Sequence, residues 1–181
     1  MTPEENEPRL LAAFRRRERP AFDTLFARHA PGIFAFARRQ TGSCEDAEEI
    51  VTETFAAAFV AAPQFLGRAR LTTWLLTIAR RRIQDRVRKG KLTTEPLTEQ
   101  PLTSPAAPLE NTALATVAIE AALAQLDSAK REAFLLVVAQ GLTYQEAARV
   151  LKAPTGTVKW RVHEATRFLR TYLEQDYESL P

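Results

Sequence analysis

Six polar or aromatic side chains lie close together near the C-terminal end of the sequence, and their types suit the reading of DNA bases. Lys and Arg donate hydrogen bonds to guanine, Glu accepts one from the amino group of cytosine, and an exposed Trp between two basic residues is costly unless it has a role. Because the six recur at helical spacing opposite an apolar stripe, they would share one helix face. They are Thr157, Lys159, Trp160, Arg161, His163 and Glu164.

Two helices joined by a tight turn would position this face. Thr143, followed three residues later by Glu146, has the pattern of a capping box that begins a short helix. Pro154 ends that helix because proline restricts the residue before it, and Thr155 is placed to cap the next helix. This is the helix-turn-helix arrangement that enters the major groove of DNA. A helical hairpin whose polar side is merely solvated is the alternative for this motif taken alone.

Acidic side chains mark a second candidate surface, on a helix that Ser43 would cap. Its first turn is acidic, as the helix dipole favours, and its outward face carries Glu45, Glu49, Thr52 and Glu53. Such a face often serves solubility alone. Its functional alternative is docking to a basic partner helix.

Basic side chains cluster toward the end of a further helix, predicted from about residue 74 to residue 89 and capped by Thr72 or Thr73. Residues 1–89 hold 16 Lys and Arg against 11 Asp and Glu, although the net charge of the whole chain is only +3. A local cationic patch attracts phosphate whatever the total charge. The clustered residues are Arg80, Arg81, Arg82, Arg86, Arg88 and Lys89.

The loop before this basic helix combines an aromatic ring with two arginines. Phe65 would offer a surface on which an unpaired base stacks, and Arg68 and Arg70 would lie beside it. Trp74, which stands among apolar residues, is better explained by core packing. The loop and the helix together predict a surface for single-stranded nucleic acid.

Prolines divide the chain into two parts. Residues 90–117 carry Pro96, Pro101, Pro105 and Pro108 among Thr, Ser and Glu, a composition typical of an extended, semi-rigid tether. The flanking segments show helical periodicity and no strand pattern. We therefore predict an all-α fold of two small domains, residues 1–89 and residues 118–181, the second a helix-turn-helix.

Helix boundaries in the first domain follow from proline and glycine. Pro20 and Pro31 would each open a helix, and Gly42 would close the second of these. His29 falls on an apolar face and is best explained as a core or rim residue.

Composition excludes several classes of function. The 181 residues are 45% hydrophobic and 26% charged, as in an ordinary globular protein. Cys44, His29 and His163 are too few for a disulfide framework or a metal cluster, and no nucleophile–base pair or phosphate loop accompanies them. We expect no catalysis, no cofactor and no metal. Because the chain lacks a signal-peptide pattern and any apolar run of about 20 residues, we expect a soluble, cytoplasmic protein without membrane insertion.

Three motifs together resemble the bacterial sigma factors. DAEEIVTETF at residues 46–55 resembles their core-polymerase-binding helix, and WLLTIAR at residues 74–80, with Asp85 and Arg88 beyond, resembles their promoter-melting helix. GLTYQEAA at residues 141–148 and GTVK at residues 156–159 are similar to their minus-thirty-five-reading domain. Only the two end domains are present, as in the small extracytoplasmic-function (ECF) group.

The resemblance implies a dissociable subunit that directs RNA polymerase to specific promoters and assists promoter opening. Its acidic helix would bind the clamp helices of the largest catalytic subunit through Asp46, Glu49 and Glu53, and its second domain would bind the flap of the second subunit. The residues implied near the minus-ten element are Phe65, Arg68, Arg70, Arg81, Gln84 and Arg88. The six residues of the helix-turn-helix face would contact the minus-thirty-five element of promoter DNA. An anti-sigma factor is a further implied partner.

Two other functions were weighed. A helix-turn-helix regulator that acts without polymerase would use residues 143–173 identically but leaves the acidic helix unexplained. A helical adaptor that binds only proteins predicts tolerance of charge reversal at Lys159 and Arg161. Promoter-specific starts by core polymerase in a purified assay distinguish a sigma subunit from both.

Overall fold

The computed structural model describes residues 3–90 and 110–178, and every described element is helical. The first part contains α1 (Pro3–Arg15), α2 (Arg19–Thr41), α3 (Cys44–Ala61), a short 3-10 turn (Ala62–Gln64) and α4 (Leu71–Arg88). The second contains α5 (Glu110–Gln125), α6 (Ser128–Phe134) with its π-helical continuation (Leu135–Ala139), α7 (Tyr144–Leu151) and α8 (Thr155–Glu178). The predicted all-α class is confirmed.

Three helices, α2, α3 and α4, pack on one another in the first part, and α1 lies against α2. Their buried faces supply large apolar side chains such as Phe14, Phe36, Ile50 and Leu75. Trp74 contacts this core through an edge-to-face pairing with Phe14, with ring centroids 6.3 Å apart. Its predicted role in packing is therefore confirmed.

Three of the predicted helix-end signals are found in the structure. The Ser43 hydroxyl accepts a hydrogen bond from the Asp46 amide at 3.2 Å and begins α3, while Gly42 ends α2 with a φ of 78°. Thr143 and Glu146 form a complete capping box at the start of α7. Lys152 then takes a left-handed conformation, with a φ of 52°, in the turn before α8.

Three predicted helix starts differ from the structure. Thr155 does not precede α8 as its cap, because it is the first residue of that helix. Pro31 opens no helix, because α2 continues through it from Arg19 to Thr41. An internal proline costs about 3 kcal/mol, and burial of Leu25, Ile33 and Phe36 on both sides of it in one core offsets that cost. The start of α4 is likewise not capped by Thr72 or Thr73: the helix begins at Leu71, and Thr73 uses its hydroxyl elsewhere.

Most of the predicted tether, residues 91–109, lies outside the described residues. Its C-terminal end belongs to α5, which begins at Glu110, ahead of the predicted start of the second domain. The four prolines on which the prediction depended all precede this helix.

The two parts of the chain contact each other directly, since α7 lies on α4 while α5 and α6 lie on α2. Arg80 donates two hydrogen bonds to the carboxylate of Glu132, at 2.7 and 3.2 Å. The side-chain amide of Gln140 donates to the carbonyl of Gly32 at 3.1 Å. These polar contacts hold α6 against α4, and the end of the π-helical segment against α2.

Glu146 adds a further contact at this junction. Its carboxylate accepts hydrogen bonds from the Thr143 amide at 2.9 Å and from the buried Thr73 hydroxyl at 3.2 Å, and Arg70 lies 3.9 Å away. Burial alone would raise the pKa of Glu146, but the hydrogen bonds from Thr143 and Thr73 and the charge of Arg70 lower it. The carboxylate is held ionised.

Candidate functional surfaces

The acidic side chains of α3 converge on one arginine of α4. Arg86 donates to Asp46 at 2.9 Å, to Glu49 at 2.6 Å and to Glu53 at 2.8 Å. Arg86 is buried, and so is most of Asp46, whereas the side chains of Glu49 and Glu53 stay 58% and 45% exposed. Of these three carboxylates, those of the two glutamates therefore face outward, and that of Asp46 lies beneath them.

Several charges keep Arg86 in its ionised form. Burial alone would lower its pKa, but the hydrogen bonds to Glu49 and Glu53 raise the pKa above the ordinary arginine value. Arg82 lies one turn earlier at the rim of the same cleft, 4.0 Å from Glu53, and Asp85 and Lys89 complete the lining. This face is a mixed-charge cleft with an acidic outer edge.

This arrangement corrects part of the predicted basic cluster. Arg80 and Arg86 bind carboxylates inside the protein, so they are not exposed for phosphate. Arg81 and Arg88 remain on the exposed side of α4, and Arg88 pairs with the neighbouring Asp85. Gln84 lies on the same exposed side.

The loop before α4 presents different residues from those expected. Phe65 is only 4% exposed and packs against Trp74, with ring centroids 4.9 Å apart, so it offers no open face for stacking. The expectation of an exposed Phe65 is therefore wrong for this structure, because the ring completes the core under the loop. The exposed side chains here are Leu66, Arg68 and Arg70.

The six predicted base-reading residues share the outward side of α8. Lys159, Trp160 and His163 are exposed, and Thr157, Arg161 and Glu164 are partly so, while Val158, Val162 and Ala165 face the core. The Lys130 ammonium lies 5.8 Å from the centre of the Trp160 ring. The carboxylate of Glu164 accepts a hydrogen bond from Arg167 at 2.6 Å.

Comparison with known proteins assigns both parts of the chain. Sigma-70 region 2 matches residues 25–93, and Sigma-70 region 4 matches residues 116–169. The ECF RNA polymerase sigma factor SigM of Mycobacterium tuberculosis is 32% identical over 164 residues, covering 90% of this chain and 82% of SigM. The chain belongs to the ECF sigma factors.

Further similarities agree with this family. EcfG of Rhodopseudomonas palustris, also an ECF sigma factor, is 31% identical over 147 residues, with 81% of each chain covered. The sigma factor RpoE of Bartonella quintana, solved in complex with the anti-sigma factor NepR, matches with a TM-score of 0.71 and 26% identity over 84% of this chain and 96% of that one.

This sigma factor is a subunit that directs RNA polymerase to promoters. Its region 2 match includes the acidic edge of α3, the loop after it and the exposed arginines of α4. Its region 4 match includes the helix-turn-helix and most of α8.

The sequence analysis missed the role of Arg86 as the partner of the acidic side chains, the exposure of Leu66 in the loop, and the pairing of Glu132 with Arg80 between the two parts of the chain. Arg86 was counted with the phosphate-binding cluster because its partner Asp46 lies 40 residues away in the sequence. No local sequence pattern pairs charges over that distance. Leu66 carried no signal beyond its place in the loop.

The described residues contain neither a metal-binding cluster nor a membrane-spanning helix. Within residues 3–90 and 110–178, no group of three or more His, Cys, Asp and Glu is arranged to hold a metal ion. The helices of the same residues include none with the length and apolarity needed to cross a membrane.

Proposed function

We propose that this sigma factor binds core RNA polymerase through the acidic edge of α3 and binds promoter DNA through α4 and α8. The observation that supports this most directly is the presence of both surfaces on the two family-matched regions of one chain. On α3, the half-exposed Glu49 and Glu53 would contact the basic clamp helices of the largest catalytic subunit. Asp46 would contribute from beneath, through Arg86.

For the minus-ten element, exposed cations are available in the loop before α4 and along α4 itself. Arg68, Arg70, Arg81 and Arg88 would hold the phosphates of the separated strand, and Gln84 would lie beside it. Phe65 would support the loop from below, and a base flipped out of the duplex would meet the loop residues above it. Binding of the unpaired strand offsets the cost of unstacking, about a few kcal/mol per base, and so assists promoter opening.

At the minus-thirty-five element, α8 would enter the major groove. Arg161 and Lys159 donate to guanine or phosphate, and Glu164 accepts from cytosine once Arg167 turns toward the backbone. Thr157, Trp160 and His163 would complete the contact surface. The second domain would also bind the flap of the second catalytic subunit.

The connection between the domains would make these modest interfaces effective. A short tether raises the effective concentration of the second contact once the first has formed, so total affinity exceeds that of either domain. In this scheme the direct contact between the domains must open before both DNA elements are engaged.

We also propose that the chain performs no catalysis of its own and acts in the cytoplasm, where polymerase and DNA lie. An anti-sigma factor is proposed as a further partner, since the similar RpoE was solved with one.

Run-off transcription with purified core polymerase tests this function. A genomic fragment library should yield discrete start sites when the chain is added and none when core enzyme is used alone. Failure to bind core polymerase, or starts no different from those of core alone, would overturn the proposal. A variant with charge-reversed Lys159 and Arg161 should retain polymerase binding while losing discrete starts.

A further inference from the structure

One guanidinium organises the acidic edge of α3. Asp46, Glu49 and Glu53 are spaced so that they share one helix face, where three carboxylates repel one another. Arg86 reaches this face from α4 and donates through Nη1 to Asp46 and through Nη2 to both glutamates. A guanidinium is planar and carries five donors, so it can bridge several carboxylates at once, which an ammonium does less well.

Arg86 is much less exposed to solvent than the two glutamates it binds. Arg86 is 9% exposed, so it presents almost no surface to another protein, whereas Glu49 and Glu53 are about half exposed. The hydrogen bonds restrict the rotamers of both glutamates while leaving their outer sides open. Two long acidic side chains are thereby ordered before any partner arrives, and the entropy of ordering them is not lost on binding.

We propose that Arg86 is a positioning residue for polymerase binding, which fixes Glu49 and Glu53 in the orientation that meets the basic partner surface. This inference rests on the proposed function of the α3 edge. It assigns to Arg86 a role in protein binding and not in DNA binding, although it lies within the basic end of α4.

A simple charge argument predicts the opposite effect. Removing a positive charge from an acidic surface should strengthen its attraction to a basic partner. Arg82 provides the matched control, because it lies one turn away on α4, is 37% exposed and approaches Glu53 only to 4.0 Å. Arg82→Gln and Arg86→Gln change the net charge equally but differ in how many carboxylates they release.

The test is the affinity of the full chain for core polymerase, measured by fluorescence anisotropy at two salt concentrations. We expect Arg86→Gln to weaken binding about tenfold, as when two rotamer-rich side chains must be ordered on binding. Arg82→Gln should bind as tightly as the wild type or more tightly. Equal affinities of the two variants would overturn the inference.

A fold defect is separated from a positioning effect by two further measurements. If Arg86→Gln melts well below the wild type, Arg86→Lys decides, since it keeps the charge: weaker binding at normal helicity supports positioning, and wild-type affinity overturns it. In a chain that already carries Glu49→Gln and Glu53→Gln, Arg86→Gln should cost little further affinity. A full additional loss there would show that Arg86 acts through the fold alone and would also overturn the inference.

The outcome for the wild type keeps the two proposals distinct. Absence of wild-type binding to core polymerase contradicts the proposed function itself. Wild-type binding combined with equal behaviour of the two Gln variants contradicts only the role of Arg86.

Discussion

The guanidinium of Arg80 on α4 is bound by the carboxylate of Glu132 on α6 through two hydrogen bonds of 2.7 and 3.2 Å. Both side chains are largely buried, at 15% and 17% exposure, so the pair is shielded from salt more than an ordinary surface ion pair. It joins the two sigma regions across residues separated by 52 positions in the chain. The contact keeps part of α4 against α6.

Loss of this pair should loosen the contact between the two regions. Glu132→Gln removes the charge and should weaken the contact by about 1.5–3 kcal/mol, the range for hydrogen bonds to charged groups. We expect a larger radius of gyration by small-angle X-ray scattering and increased hydrogen exchange at the start of α4. Glu174→Gln, at an exposed position of α8, is the control and should change neither. An unchanged radius for Glu132→Gln would show that the pair contributes nothing to closure.

The outward face of α8 should tolerate truncation without loss of stability. Trp160 is 55% exposed, so Trp160→Ala should change the free energy of unfolding by no more than about 0.5 kcal/mol while altering binding to a minus-thirty-five duplex. Leu169 lies on the buried side of the same helix, so Leu169→Ala should lower the free energy of unfolding by about 2–5 kcal/mol. Chemical denaturation compares the two variants. A large stability loss for Trp160→Ala would place its ring in the core.

The capping box should make a measurable contribution to the helix-turn-helix. Thr143→Ala removes the hydroxyl that accepts a hydrogen bond from the Glu146 amide at 3.2 Å, and should cost about 1 kcal/mol. The control is Thr171→Ala, since that exposed hydroxyl donates only to a carbonyl within α8. Thermal melting followed by circular dichroism measures both. Equal melting temperatures for the two variants would contradict the assigned cap.

His29 should make stability depend on pH near neutrality. Burial lowers the pKa of His29, with Arg28 and Arg70 acting in the same direction and Glu7 opposing them. Because the folded pKa lies below the unfolded value of about 6.5, the contribution is complete above that pH and is lost as the pH falls through the folded value. The stability advantage of the wild type over His29→Gln should therefore shrink between pH 7.5 and pH 5.5. Parallel stability curves for the two proteins would contradict this.

Local signals in the sequence predicted much of the fold. Ser43, Gly42 and the Thr143–Glu146 box each act within a few residues, so their effects are visible in the sequence and are found in the structure. Pro31 shows the limit of such signals, because burial on both sides of a proline can outweigh its local cost.

Contacts between distant residues could not be predicted in the same way. The hydrophobic pattern identified Trp74 as core, but nothing near Phe65 indicated that its ring would pack on that indole. Arg80 and Arg86 belong to the same arginine-rich segment as the exposed arginines of α4. Only the fold separates the arginines that meet carboxylates from those that remain exposed. The position of α8 was predictable from periodicity, whereas the closure of the helix-turn-helix on α4 was not.

Glu146 gives this closure an unusual constraint. The carboxylate that caps the start of α7 also accepts a hydrogen bond from the Thr73 hydroxyl of the other region. A shorter acid such as Asp would lose reach in both directions, so substitution at this position would weaken both the first turn of α7 and its contact with α4. A variant meant to weaken the closure should therefore leave residue 146 intact and change Thr73, because loss of that hydroxyl removes one contact between α4 and α7 and leaves the capping box in place.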